Sequence, residues 1–123
     1  MNKILIVDDD KATATLLRTL FEIEGLQGVI CQRADRVVSD VRTQKPDVVL
    51  MDAHLAEIDS LGILSELKAD PELRHTPVIM VSGMDRRSEF LPAGAVDFIL
   101  KPFRPADLMV VLRRYLPPQG ASE

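Results

Sequence analysis

The chain has 123 residues, enough for one domain with a real hydrophobic core. Hydrophobic residues make up 46% and charged residues 28%, the balance of a soluble globular protein, and a net charge of −4 argues against direct nucleic-acid binding by this segment. No apolar run approaches the ~20 residues of a membrane span, and with Met1-Asn2-Lys3-Ile4 running directly into a strand no signal peptide is expected. Cys31 stands alone, which excludes a disulfide framework; a cytoplasmic, reducing location is expected.

Ile4-Leu5-Ile6-Val7 is an all-apolar run that ends in Asp8-Asp9-Asp10. From Lys11 to Glu24, residues Ala12, Leu16, Leu17, Leu20 and Ile23 recur at helical spacing; Asp10 suits the cap and Gly25 the stop. Gly28 to Cys31 is a short strand, and Asp35 to Thr43 a helix with Val37, Val38 and Val41 on its apolar side. Val48-Val49-Leu50-Met51 runs straight into Asp52 with no polar face, the pattern of a strand buried on both sides. Leu55 to Leu61 reads as a loop, followed by a helix to about Ala69 that Asp70-Pro71-Glu72 breaks. Pro77 to Ser82 is a fourth strand ending in a hydroxyl. Asp85 to Leu91 has room only for a short helix before Pro92 and Gly94, and Ala95 to Leu100 is a fifth strand followed by Lys101-Pro102. Pro105 to Leu116 closes the domain with a helix whose face is Leu108, Val111, Leu112 and Tyr115. This reading takes 1–116 as the domain and 117–123 as a polar tail or linker stub.

Strands alternating with helices five times predict an α/β fold, a doubly wound five-stranded parallel sheet with helices on both faces. A chain this short fits the flavodoxin-like strand order 2-1-3-4-5, whose switch point lies between the first and third strands. That order places Asp8 and Asp9 beside Asp52, with Ser82 and Lys101 ending the two strands on the other side. Two like charges about 4 Å apart repel by roughly 4 kcal/mol at an effective dielectric near 20, so three carboxylates in one cleft need a cation, or one must protonate. All-oxygen ligands at a wet cleft suit Mg²⁺ best, with Mn²⁺ and Ca²⁺ as alternatives. A cation, the Lys101 ammonium and the Ser82 hydroxyl together fit a phosphoryl group in transfer to Asp52. Each piece alone has a bland reading as a cap or loop residue; the joint order, each group at the end of an apolar strand, is the specific signal.

These motifs, Ile4 through Asp10, Val48 through Asp52, Val81-Ser82, and Gly94-Ala95 through Lys101-Pro102-Phe103, resemble the receiver domains of two-component response regulators, over residues 2–116. The resemblance implies a phosphorylation-dependent signalling switch of a phosphorelay. Asp52 is then the phospho-acceptor. Asp9, Asp52 and the backbone carbonyl of His54 hold Mg²⁺ directly, with Asp8 acting through water. Ser82 and Lys101 contact the phosphoryl group, and Phe98 occupies the aromatic position that turns inward as the hydroxyl moves toward phosphate. The implied donor is a phosphohistidine on a sensor histidine kinase or phosphotransfer protein. The implied output is a C-terminal effector domain or a downstream protein, and neither membrane nor nucleic-acid binding is expected of this domain.

Three departures stand out. Ala56 and Ser60 replace the family's usual proline and glycine in the loop after the acceptor. Phe98 lacks the tyrosine hydroxyl often found at its position. The stretch from Ser82 to Lys101 is about three residues short, which predicts a short fourth helix with few anchors, chiefly Phe90 and Leu91, as the least protected stretch outside the termini, ordered on phosphorylation. A cis Lys101–Pro102 bond is also expected, since cis costs only about 0.5–1 kcal/mol before proline.

Other residues carry bland readings beside sharper ones. His54 and Met84 each lie two positions past a site residue, where a side chain can overhang the phosphoryl or simply pack in a loop. His75 reads as solvated, Cys31 as core, Val110 as a single exposed valine, and Arg86-Arg87 and Arg113-Arg114 as solvated faces. The competing function is a haloacid-dehalogenase-like phosphatase, which also uses an aspartate nucleophile, a hydroxyl and a lysine. Against it, that family places its nucleophile after the first strand, no acid pair follows Lys101, and there is no length for a cap domain. A switch is not expected to turn over a separate substrate.

Overall fold

The apolar runs form a single parallel sheet because the three central ones have side chains to bury on both faces. The computed structural model describes residues 1–118; of the tail, 119–123 lie outside the described residues. In chain order the elements are β1 (Lys3–Val7), α1 (Lys11–Ile23), β2 (Gln27–Cys31), α2 (Val37–Gln44), β3 (Val48–Asp52), β4 (His54–Leu55), β5 (Ile58–Asp59), α3 (Leu61–Ala69), β6 (Val78–Ser82), α4 (Arg87–Phe90), β7 (Asp97–Leu100) and α5 (Pro105–Tyr115). The five-stranded sheet has the order β2-β1-β3-β6-β7, all neighbours parallel, which is the expected 2-1-3-4-5 once the short β4–β5 hairpin is set aside.

Alternate residues of each strand enter two separate cores. Leu5, Val7, Val49, Met51, Val78, Met80 and Phe98 pack with Val37, Val41, Leu64, Leu67 and Phe90 on one face. Ile4, Ile6, Val48, Leu50, Ile79, Val81 and Ile99 pack with Phe21, Leu108 and Leu112 on the other. Burying one such side chain contributes about 1.5–3 kcal/mol, so the sheet's register is strongly held. Val7 pairs with Met51, Asp52 with Val81, and Ser82 with Leu100. Asp8, Asp52, Ser82 and Lys101 therefore arrive in succession along one edge. No helix among the described residues is long and apolar enough to cross a membrane.

Three local features differ from expectation. In α1 the buried side chains are Ala14 and Phe21, with Leu17 and Leu20 packed partly against them. Ala12 is exposed, and Leu16 and Ile23 are 71% and 75% exposed. The helix carries two apolar stripes, and the one containing the large Phe21 ring wins the sheet. Second, the loop after β3 folds back as a two-residue hairpin, β4 against β5. Third, α2 is preceded by a 3-10 turn at Ala34–Arg36 and ends on Lys45 with φ 49°.

Helix α4 is a single turn, as the short spacing requires. Its anchor is firmer than the sequence implies. Phe90 is fully buried, while Leu91 is 41% exposed. The Arg86 side chain is only 11% exposed; its guanidinium donates to Asp59 Oδ2 at 2.8 Å and to both Glu89 oxygens, and lies 4.7 Å over the Phe90 ring. Arg86 is thus a structural clamp rather than a solvated residue. At Gly94, φ is 117°, and a Cβ there would stand 2.7 Å from the Lys68 stem, so a side chain is excluded on both counts. The Lys101–Pro102 peptide is cis, as expected.

Candidate functional site

Asp52 ends β3 with its side chain held on both oxygens. Lys101 Nζ donates to Oδ2 at 2.7 Å, and the His54 amide donates to Oδ1 at 2.9 Å. Lys101 reaches it because its own amide bonds the Ser82 carbonyl at 2.8 Å, which turns the chain across the end of β7. Burial opposes the lysine's charge, but the bond to Asp52 and the attraction of Asp52 and Asp8 outweigh it, and its pKa is raised. Lys101 is therefore a fixed cation beside Asp52.

Asp8 is buried, and its Oδ1 accepts the Asp10 amide at 2.9 Å. Its pKa is raised, first by burial and then by the charges of Asp52 and Asp9; the Asp10 amide and Lys101 pull the other way without cancelling this. Asp8, Asp52 and Lys101 line one small cavity of about 20 Å³, with Thr13 and Leu17 at its wall. Asp9 is exposed and faces the loop, where its Oδ2 accepts the Ala56 amide at 2.9 Å. Ala56 sits at φ 56°, a left-handed conformation costing a non-glycine residue about 1–2 kcal/mol. Its bond to a carboxylate offsets part of that cost.

Ser82 is buried at the end of β6, and its Oγ accepts the Met84 amide at 3.1 Å. Phe98 is buried, its ring 6.3 Å from Phe90 and capped by the Arg87 guanidinium at 5.4 Å. The aromatic position is thus filled inward, consistent with a ring that has no hydroxyl to keep wet. His54 is exposed, and nearby Asp59 has its pKa lowered chiefly by the hydrogen bond from Arg86. Met84 is also exposed.

The donor chemistry fits a hard divalent cation. Asp8, Asp9 and Asp52 supply only oxygen, the donor type a hard divalent cation takes, and they share the site with the single ammonium of Lys101. Among the described residues, however, no three acidic, histidine or cysteine side chains are already gathered to metal-ligand spacing. Asp9 is engaged with Ala56 and Asp52 with Lys101 through one oxygen each, and each carboxylate keeps acceptor capacity for a cation.

Sequence reasoning noted Ser60 only as a departure in the loop and did not single out Asp59, yet both shape this site. Ser60 is fully buried and donates its hydroxyl to the Asp52 backbone carbonyl. The only signal was a serine where the resembling family carries glycine. Asp59 binds Arg86 and joins the loop after β3 to α4. No local pattern marks that pair, which lies 27 residues apart.

A doubly wound sheet with an acid pair, a central acid, a hydroxyl and a lysine on one edge is the arrangement expected of a phosphoryl-accepting α/β domain. The comparisons agree. The family model described as the response regulator receiver domain matches residues 4–113, so the chain belongs to that family. It is 31% identical over 117 residues to the phosphate regulon transcriptional regulatory protein PhoB of Rhizobium meliloti, covering 93% of this chain and 52% of that protein. The BeF₃-activated N-terminal receiver domain of Klebsiella pneumoniae RstA is 30% identical with a TM-score of 0.85, covering 95% of this chain and all of that one. The receiver domain of the Pseudomonas aeruginosa sensor histidine kinase PA1611, solved with a magnesium ion coordinated in the active-site cleft, is 26% identical with a TM-score of 0.82, covering 93% of this chain and 96% of that one. The chain spans about half or less of the length of the curated relatives it matches. As a receiver domain it is a phosphorylation-dependent signalling switch, not a haloacid-dehalogenase-like phosphatase.

Proposed function

We propose that Asp52 accepts one phosphoryl group from a phosphohistidine donor, a sensor histidine kinase or phosphotransfer protein. The observation that carries this reading is the grip on Asp52: both carboxylate oxygens are held at a strand end beside a fixed lysine ammonium. A carboxylate oxygen attacks phosphorus in line, the P–N bond breaks, and the imidazole nitrogen leaves with the bonding pair. The product is an acyl phosphate on Asp52. Lys101 balances charge on the phosphoryl oxygens, and the Ser82 hydroxyl, released by Met84, donates to one of them. Asp8, Asp9, Asp52 and the His54 carbonyl would hold Mg²⁺, which when bound neutralises phosphoryl charge as a Lewis acid. Phe98 and Ser82 then report the modification by a shift between two packings. The output is an effector domain on the same chain or a separate protein.

The test is stoichiometry. The purified protein, incubated with a small acyl phosphate or phosphoramidate and Mg²⁺, is expected to gain a single base-labile phosphoryl group by intact mass. Continuous hydrolysis of a stable phosphate monoester with no such adduct would sink the reading.

The donor also needs a surface to grip. Leu16 and Ile23, the second stripe of α1, with Leu20 on its border, face Pro102, Phe103 and Pro105 across an apolar groove of about 700 Å³. Lys101 lines both this groove and the acceptor pocket, so a donor helix seated here brings its phosphohistidine to Asp52. Replacing exposed Leu16 and Ile23 by Asp is expected to slow transfer from a phosphorylated kinase roughly tenfold or more, the loss of a typical interface anchor. Uptake from the small donor should not change. Equal slowing with both donors would move the docking site elsewhere.

A further inference from the structure

Ser60 occupies the position just before α3, where a serine ordinarily turns its oxygen to an amide of the first helical turn. It makes no such bond here. Asp59 takes that role instead, accepting the Leu61 amide on Oδ1 at 3.1 Å. The Ser60 hydroxyl turns inward, wholly buried, and donates to the Asp52 backbone carbonyl eight residues earlier. Its amide donates to the Ala53 carbonyl at 2.9 Å, and its carbonyl accepts the Leu64 amide at 2.9 Å. One residue therefore ties the end of β3, the start of α3 and the intervening hairpin together.

We propose that Ser60 is a positioning residue for phosphoryl acceptance: its hydroxyl holds the Asp52 backbone and, through the closed 53–60 loop, the donors at His54 and Ala56 that face the acid cluster. This rests on Asp52 being the acceptor. The side-chain oxygens of Asp52 are steered by Lys101 and by the His54 amide, and the His54 amide is itself part of the loop that Ser60 closes. Ala56, whose amide holds Asp9 from a left-handed conformation, belongs to the same loop. With the tether gone, the carbonyl side of Asp52 and the two amides are no longer fixed relative to one another. The loss falls on the reaction at the acceptor more than on the fold, since Ser60 contributes no apolar surface to either core.

The test compares the parent with Ser60→Ala and Ser60→Gly. Phosphorylation by a small acyl phosphate is followed against Mg²⁺ concentration, at a temperature well below each variant's melting transition. The expected result is about a tenfold lower rate at saturating Mg²⁺, together with a raised Mg²⁺ half-saturation point; tenfold is the loss of one well-made hydrogen bond. A Tm drop with rate and half-saturation both within about twofold of the parent would mean a purely structural serine and overturn the proposal. Failure of both variants to fold would do the same, since it would make Ser60 a folding residue. Asp52→Asn in the same assay separates the two claims. Uptake that persists there refutes the acceptor; silence there beside parental rates in the Ser60 variants refutes only the role of Ser60.

Discussion

Asp52→Asn is expected to abolish phosphoryl uptake from both a small donor and a phosphorylated kinase. The amide is nearly isosteric, so the bond to Lys101 Nζ and the one from the His54 amide compete for one remaining oxygen. What disappears is the nucleophile, because an amide oxygen does not form a stable acyl phosphate. The fold should survive, since Asp52 contributes to neither apolar core, and its removal relieves repulsion on buried Asp8. Intact mass of the variant after a long incubation checks this, with circular dichroism as the control for folding. Asp9→Asn separates metal from acceptor: uptake should persist at a reduced rate and lose its dependence on Mg²⁺ concentration. A single adduct of parental yield in Asp52→Asn would reassign the acceptor to another acid.

Phe90→Ala is expected to lower stability by about 3–5 kcal/mol, the usual cost of deleting a buried aromatic ring. For a domain of this size that is a fall in Tm on the order of 10–20 °C. Phe90 is fully buried, packs against Phe98 and carries the Arg86 guanidinium on its face, so its loss empties a site walled by two fixed partners. It is also what holds α4, a helix of one turn that cannot be stable by itself. Leu91→Ala, one residue on at an exposed position, should cost less than about 1 kcal/mol. Urea unfolding of the two variants side by side decides it. Equal small losses would show that α4 is held by its surface ion pairs rather than by the ring.

The architecture was legible in the residues because the three central strands, buried on both faces, have to be apolar throughout, and with two shorter edge runs they alternate with helical segments. The ends of those runs named Asp8, Asp9, Asp52, Ser82 and Lys101 before any geometry was known, since parallel strands of like direction bring their ends to one edge. The one-turn α4 was legible too, from the short spacing between Ser82 and Lys101 and from Pro92. Tertiary structure decided what periodicity leaves degenerate. In α1, the stripe of Ala14, Leu17 and Phe21 and the stripe of Leu16 and Ile23, with Leu20 on the border between them, both obey helical spacing, and only the fit of Phe21 into the second core chose between them. The β4–β5 hairpin is too short to leave a pattern. Phe90 and Leu91 are neighbours of similar hydrophobicity, and the direction in which a single helical turn faces buried one and exposed the other. Ser60 and Arg86 found their partners, Asp52 and Asp59, across 8 and 27 residues. A polar side chain's type advertises the bond it can make, but the partner is set only when the folded chain brings that atom within about 3 Å.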